Sequence, residues 1–390
     1  MIGILGIYYN AWNFGAQLQA RALQCVIEAL GHPCVWIRYD YKTGIDNPFV
    51  ESNVRTQLEG DGNEFWKRYA EDIAPKLAKR KASFARFQDE TKHTIGLYYP
   101  DDLPGVMAEC DRLMIGGDQV WNDFYYMEEP HMAGNFTLDF VPDNQFKFTF
   151  SASTGGGYEL SSTQRRRLEP GLKRLSRISC REKSSVSMLE ELSGKRVECV
   201  LDSAFLLNRD GWNQIRKPAI SISGFHNKFA VCCFMGKFIQ WREASNQICA
   251  RMNVDILCFP HLGESLYYQS DYHFGNVRDF TSGPAEFLDL IERAEFVITE
   301  SFHACVFSII YEKPFYVFLK DESDRNLKTN ARIIDMLDEF GLSDRIITPD
   351  KLSQLEIIEP IDYDKVNAVL SRRKKESIEY LKSALNMEMQ

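Results

Sequence analysis

Short apolar runs alternate with stretches of helical period through the first half of the chain. Residues 2–9 read as a buried strand, and Leu18, Ala22, Leu23, Val26, Ile27 and Leu30 recur along one helical face over 17–30. Gly31 follows as a C′ glycine ends a helix. Residues 34–39 form a second strand, so the first 40 residues make a β-α-β unit. Further strands are predicted at 112–115, 147–151, 177–180 and 197–201. Residues 50–95 break the rhythm with a charged helical excursion that carries basic residues at 67, 68, 76, 79, 80, 81 and 86. Packing of this excursion against its own domain is the expected arrangement.

The rhythm restarts in the second half. Strands are expected at 229–234, 255–259, 296–299 and 314–319, with helices at 284–293 and from Phe302 onward. The polar stretch 208–227 reads as the linker, and 364–386 as a final charged helix. Alternating strands and helices predict α/β architecture with two doubly wound, largely parallel sheets. The expected division is 1–207, 208–360 and 361–390, the last part being the final helix. At 390 residues the chain is long enough for two such lobes, at roughly 100–200 residues each.

Charge narrows the partners. Forty-six Lys and Arg against 55 Asp and Glu leave −9, which gives no global grip on nucleic acid. No apolar run reaches the ~20 residues a membrane span needs. Ten cysteines without CxxC spacing sit mostly in apolar runs and read as reduced, buried thiols, which favours a cytosolic compartment. Eight Lys and Arg lie between 165 and 183. Their default reading is a solvated helix face; contact with an anionic membrane surface is the sharper one.

Four segments carry candidate chemistry. Thr299-Glu300-Ser301-Phe302-His303 is a strand end, a capping serine and a histidine in the first helical turn, where free amides attract anions and an imidazole can exchange a proton. Gly116-Gly117-Asp118-Gln119 with Asn122 offers hydroxyl partners after a strand; Asp118 is either a base, a sugar acceptor or a turn residue. Asn13, Gly15 and Gln17 follow the first strand as a ligand-type loop lacking GxGxxG. Arg181 ends a strand with a planar fork suited to carboxylate or phosphate, or to a neighbouring acid such as Glu182. Histidines 32, 93, 131, 226, 261 and 273 form no ligand set, so no metal is expected.

Taken in order, these segments resemble the polysaccharide pyruvyl transferase family. Asn13-Phe14-Gly15-Ala16 comes first, then Gly117-Asp118-Gln119-Val120-Trp121-Asn122, then Ser151-Ala152-Ser153-Thr154-Gly155. Ser179-Cys180-Arg181-Glu182, Leu201-Asp202-Ser203 and Glu300-Ser301-Phe302-His303-Ala304 follow, with Lys313-Pro314-Phe315 downstream. The chain departs at Gly117, Ser203, Glu300 and Ala304, where the family usually has serine, proline, aspartate and glycine.

The resemblance implies a GT-B-like fold of two Rossmann-like lobes around a cleft. It also implies transfer of a pyruvyl unit from phosphoenolpyruvate to two hydroxyls of a sugar, forming a cyclic ketal and phosphate during exopolysaccharide or capsule synthesis. His303 and Asp118 would then be catalytic, and Arg181, Ser301, His303, Arg325 and Arg332 (with Lys328 as a rival) would hold the donor. Asn13, Gly15, Gln17, Gln119 and Asn122 would face the acceptor, a sugar or lipid-linked oligosaccharide. No cofactor beyond the donor is implied, and the cytoplasm or the inner membrane face is the expected location. A nucleotide-sugar glycosyltransferase of GT-B type, or a non-catalytic carbohydrate-binding protein, are the competing readings.

Overall fold

The computed structural model describes residues 1–9, 11–40, 69–122, 132–156, 160–223, 227–236, 238–260, 271, 273–319, 330–348, 351 and 359–387. The first lobe is built on β1 (Ile2–Leu5), α1 (Phe14–Ala29), β2 (Cys34–Tyr39), α2 (Ala74–Asp89), β3 (His93–Tyr98), β4 (Arg112–Ile115) and β5 (Lys147–Thr149). All its strand pairs are parallel, in the order β3-β2-β1-β4-β5. After α3 (Ser162–Arg174), β6 (Ile178–Cys180) and β7 (Val197–Cys199) pair in parallel. Single bridges from Phe148 to Arg177 and from Ala152 to Cys180 attach that pair to β5 and the segment just after it.

The second sheet runs β10-β9-β8-β11-β12-β13, again with every pair parallel. Its strands are β8 (Phe229–Cys233), β9 (Asp255–Cys258), β10 (Val277–Arg278), β11 (Phe296–Thr299), β12 (Phe315–Phe318) and β13 (Ile346–Ile347). Between them lie α4 (Ile239–Met252), α5 (Pro284–Arg293), α6 (Phe302–Ile310) and α7 (Ala331–Glu339), and α8 (Tyr363–Asn386) closes the chain. The fold class is therefore α/β, GT-B-like, with two doubly wound Rossmann-like sheets. β8 and β11 are buried at every residue, as expected for central strands covered on both faces.

Three local readings change. The first strand stops at Leu5 instead of reaching residue 9: the chain turns there, the Tyr8 amide donating to the Gly6 carbonyl at 2.9 Å. The 208–223 stretch is not a free linker: Trp212, Ala219 and Ile222 are buried in the second lobe's core, and Trp212 donates its indole N–H to the Ala204 carbonyl. Apolar residues among polar ones decide that outcome. Residues 50–68 and 224–226, also covered by those expectations, fall outside the described residues.

The basic excursion is the third change. Its helix α2 packs on its own lobe, where Phe84 meets the rings of Trp12 and Phe14 at 5.5 and 4.7 Å, but it reaches the second lobe as well. Ser83 donates to Glu286, and the buried Arg80 donates to the carbonyls of Pro260 and Asp279. Arg80 also lies over the rings of Phe14 and Phe259, 5.5 and 4.7 Å from their centroids. The apolar core there runs from Leu18 and Ala22 of α1 through Phe259 and Phe287 of the second lobe without a break. α8 belongs to both lobes: Val366 packs in the second, and Tyr380 and Leu381 pack in the first, where Tyr380 donates to the Thr149 carbonyl.

Candidate functional site

The strand order reverses between β1 and β4 in one sheet and between β8 and β11 in the other. Loops diverge at such a reversal, and the crevice beyond the carboxyl ends of the strands admits ligands. The sequence motifs fall on these loops. Ser301 caps α6, its Oγ accepting the Ala304 amide at 3.4 Å, and its own amide donates to Thr299 Oγ1 at 2.9 Å. His303 therefore occupies the first turn of α6, buried to 8% exposure.

The imidazole lies on the first turn of α1, which belongs to the other lobe. A Cβ built on Gly15 would sit 1.8 Å from His303 Nδ1. The first turns of two helices, α1 and α6, thus meet at one side chain. Their partial positive charges add where the amides have no helical acceptor.

On its other edge the ring faces an acid. His303 Nε2 is 3.6 Å from Asp202 Oδ2, and the same oxygen accepts from Arg181 Nη1 at 2.6 Å. Asp202 Oδ1 accepts the Ala204 amide at 2.9 Å. Arg181 spends its remaining nitrogens on Asp118 and Glu182, each at 3.4 Å, and its side chain is 1% exposed. Phe302 covers the guanidinium, with the ring centroid 4.8 Å away.

Burial would raise the Asp202 carboxyl, but His303, Arg181 and the Ala204 amide outweigh it and hold it well below the usual carboxylate range. Burial would likewise lower Arg181, and its three carboxylates reverse that, fixing it as a permanent cation. Glu182 goes the other way. Burial raises its carboxyl despite Arg181 and a hydrogen bond from Ser153. Asp118 takes part from a strained position, since its φ of 73° is left-handed, a conformation Asp tolerates better than most residues.

The other predicted residues have plainer placements. Asn13 is the N-cap of α1, accepting the Ala16 amide at 3.1 Å. Gln17 is buried and gives its amide to the carbonyls of Tyr8 and Ala11. Gln119 accepts from Asn122 at 2.6 Å, and both crowd the α-carbon of Gly155. Arg332, near the start of α7, lies 5.5 Å from the Phe302 centroid and lends positive field to Glu182. Arg325 and Lys328 fall outside the described residues.

Sequence reasoning named Arg181 and His303 but gave no role to the acid joining them. Asp202 and Glu182 each end a strand-to-loop passage in an apolar setting (Val200-Leu201-Asp202 and Ile178-Ser179-Cys180-Arg181-Glu182), and that burial of an acid was the signal available. Among the described residues no group of three or more His, Cys, Asp or Glu side chains has the arrangement of a metal site. Among them, too, no helix is long and apolar enough to cross a membrane.

The chain is similar in structure to UDP-GlcNAc 2-epimerase from Methanocaldococcus jannaschii, with 11% identity and a TM-score of 0.48 over 95% of this chain and 91% of that one. It is also similar to the UDP-GlcNAc-bound 2-epimerase of Neisseria meningitidis (9%, TM-score 0.46, 100% and 95% covered). A third likeness is to the glycosyltransferase SnogD from Streptomyces nogalater (12%, TM-score 0.41, 98% and 97% covered). Among curated protein sequences, none matches significantly. Residues 13–322, a span holding the Gly15, Asp118, Arg181, Asp202 and His303 loops, match the family model for polysaccharide pyruvyl transferase, and the chain belongs to that family.

Proposed function

We propose that the protein transfers a pyruvyl group from phosphoenolpyruvate to two hydroxyls of a sugar, releasing phosphate and leaving a cyclic ketal. The observation that carries this reading is the junction of His303, Gly15 and Asp202, where an imidazole sits at two helix starts beside a buried Asp–Arg pair. A donor with a carboxylate and a phosphate is drawn to the free amides of two helix starts and to the nearby Arg332.

In the proposed reaction His303 delivers a proton to the methylene carbon of the donor. The first sugar hydroxyl bonds to the adjacent carbon and loses its proton, with Asp118 as the candidate base. The second hydroxyl then bonds to the same carbon as its bond to the phosphate oxygen breaks. Arg181 is committed to three carboxylates, so its contribution is field and rigidity more than an open fork, and Arg332 is the nearby cation that completes donor binding. The acceptor is a saccharide of exopolysaccharide or capsule assembly, handled at the cytoplasmic face of the membrane.

The test is phosphate release in the presence of phosphoenolpyruvate and a panel of galactose-, mannose- and hexosamine-terminated acceptors. Release only with both substrates, and its loss in His303→Ala with the circular dichroism unchanged, is the expected result. Silence across the panel, or full turnover without the imidazole, would overturn the reading.

A further inference from the structure

The reversal point of the second sheet holds a second device, at the loop leaving β8. The backbone amides of Met235 and Gly236 are consecutive and converge on one oxygen, Glu300 Oε2, each at 2.7 Å. Two successive amides aimed at one point form an anion cradle of the kind that receives phosphate oxygens at strand ends. Here the anion is the chain's own. Glu300 is 1% exposed and reaches the cradle from the turn after β11.

The cradle is braced from beneath. Arg242 donates to the Gly236 and Phe238 carbonyls at 3.0 and 2.8 Å, while its Nε holds Asp271 at 2.6 Å. Arg242 and Asp271 are both buried. Space is tight as well as polar: a Cβ on Gly236 would lie 3.3 Å from both Glu300 oxygens.

We propose that Glu300 is a specificity-determining plug, an internal carboxylate that fills the β8 anion cradle and excludes diphosphate-bearing ligands from this lobe. With both amides bonded to one buried oxygen of Glu300, neither is left to donate to an incoming phosphate, and the carboxyl occupies the space a phosphate oxygen would need. A monophosphate donor held at His303, as proposed above, does not need the cradle; a nucleoside diphosphate would. The inference deepens that reading and rests on it for the identity of the favoured donor, while the closure of the cradle stands on the hydrogen bonds alone.

The experiment titrates inorganic pyrophosphate into the wild-type protein, Glu300→Ala and Glu300→Gln by calorimetry, with phosphoenolpyruvate titrated in parallel. Removing the carboxylate is expected to tighten pyrophosphate binding at least tenfold in Glu300→Ala, and Glu300→Gln, uncharged but still an acceptor, should gain less. Equal affinity of wild type and a folded Glu300→Ala overturns the proposal. If Glu300→Ala does not fold, an unchanged affinity in Glu300→Gln overturns it. Phosphoenolpyruvate heats separate the two readings: their absence from all three proteins sinks the donor assignment, whereas a pyrophosphate gain in the variants upholds the plug.

Discussion

His303 lies flat against the backbone of Gly15, so close that one added methyl group would stand 1.8 Å from the imidazole nitrogen. The contact joins the first turn of α1 to the first turn of α6, and it explains why a helix tolerates glycine there. Gly15→Ala should be helix-favouring by about 1 kcal/mol on propensity alone. In place it must push the imidazole away from Asp202. The expected outcome is a loss of 100-fold or more in phosphoenolpyruvate-dependent phosphate release, with a net destabilisation of about 1–3 kcal/mol from overpacking. Kinetics beside a urea melt checks both; an active, stabilised variant would show that the ring is free to move.

Much of this frame was legible along the chain. β2, β4, β11 and α5 fall where apolar runs and periods place them, since buried parallel strands and an amphipathic helix write themselves into composition. β3 did not announce itself: it is an edge strand whose Ile95, at 88% exposure, faces solvent, so its pattern resembles a loop. The union of Arg181 with Asp118 and Asp202 was illegible for another reason. Three strand ends far apart in sequence supply these residues, and only the sheet order brings them together. The docking of α2 on the second lobe is likewise a tertiary fact, fixed by Arg80 reaching carbonyls some 180–200 positions away.

Arg181 is the keystone of a buried acid cluster. Arg181→Met would strand Asp118, Glu182 and Asp202 with one cation fewer, and removing one partner of a buried pair typically costs about 3–5 kcal/mol. Asp202→Asn should be milder, about 1–3 kcal/mol, because the amide still accepts from Ala204. Urea midpoints measure the ordering, and a Met variant as stable as wild type would contradict it.

His93 gives the fold a pH response of definite sign. Burial first, and then Arg38, push its imidazole down to about 4, while it takes part in a 3.0 Å hydrogen bond with the Tyr8 hydroxyl. The unfolded chain protonates near 6.5, so between 6.5 and about 4 the unfolded state binds more protons. The stability is complete above 6.5, falls as pH drops through that window, and levels off below it. Allowing for the solvent that reaches the ring, the loss is about 1–2 kcal/mol. His93→Gln should flatten this part of the profile, measured as urea midpoint against pH, and an unaltered slope would assign the response to other groups.

Arg80 fastens α2 to the second lobe through carbonyls and ring faces; among the described residues no carboxylate lies at ion-pair distance from it. Burial pushes its guanidinium down to about 10, with Asp279 opposing the shift. The cation remains charged at neutral pH, and its cost is offset by the Pro260 and Asp279 carbonyls and by the faces of Phe14 and Phe259. Because Phe14 opens the same helix turn that supports His303, loss of this strut should reach the site. Arg80→Met keeps the stem between the rings but leaves two buried carbonyls without a donor, a penalty of about 2–4 kcal/mol. Arg80→Lys restores one donor and should recover part of it. The expected signature is a lowered urea midpoint together with a raised KM for the donor, both partly rescued by lysine. If Arg80→Met lowers the midpoint but leaves KM untouched, α2 is a prop for the second lobe alone, mechanically separate from the Gly15–His303 contact.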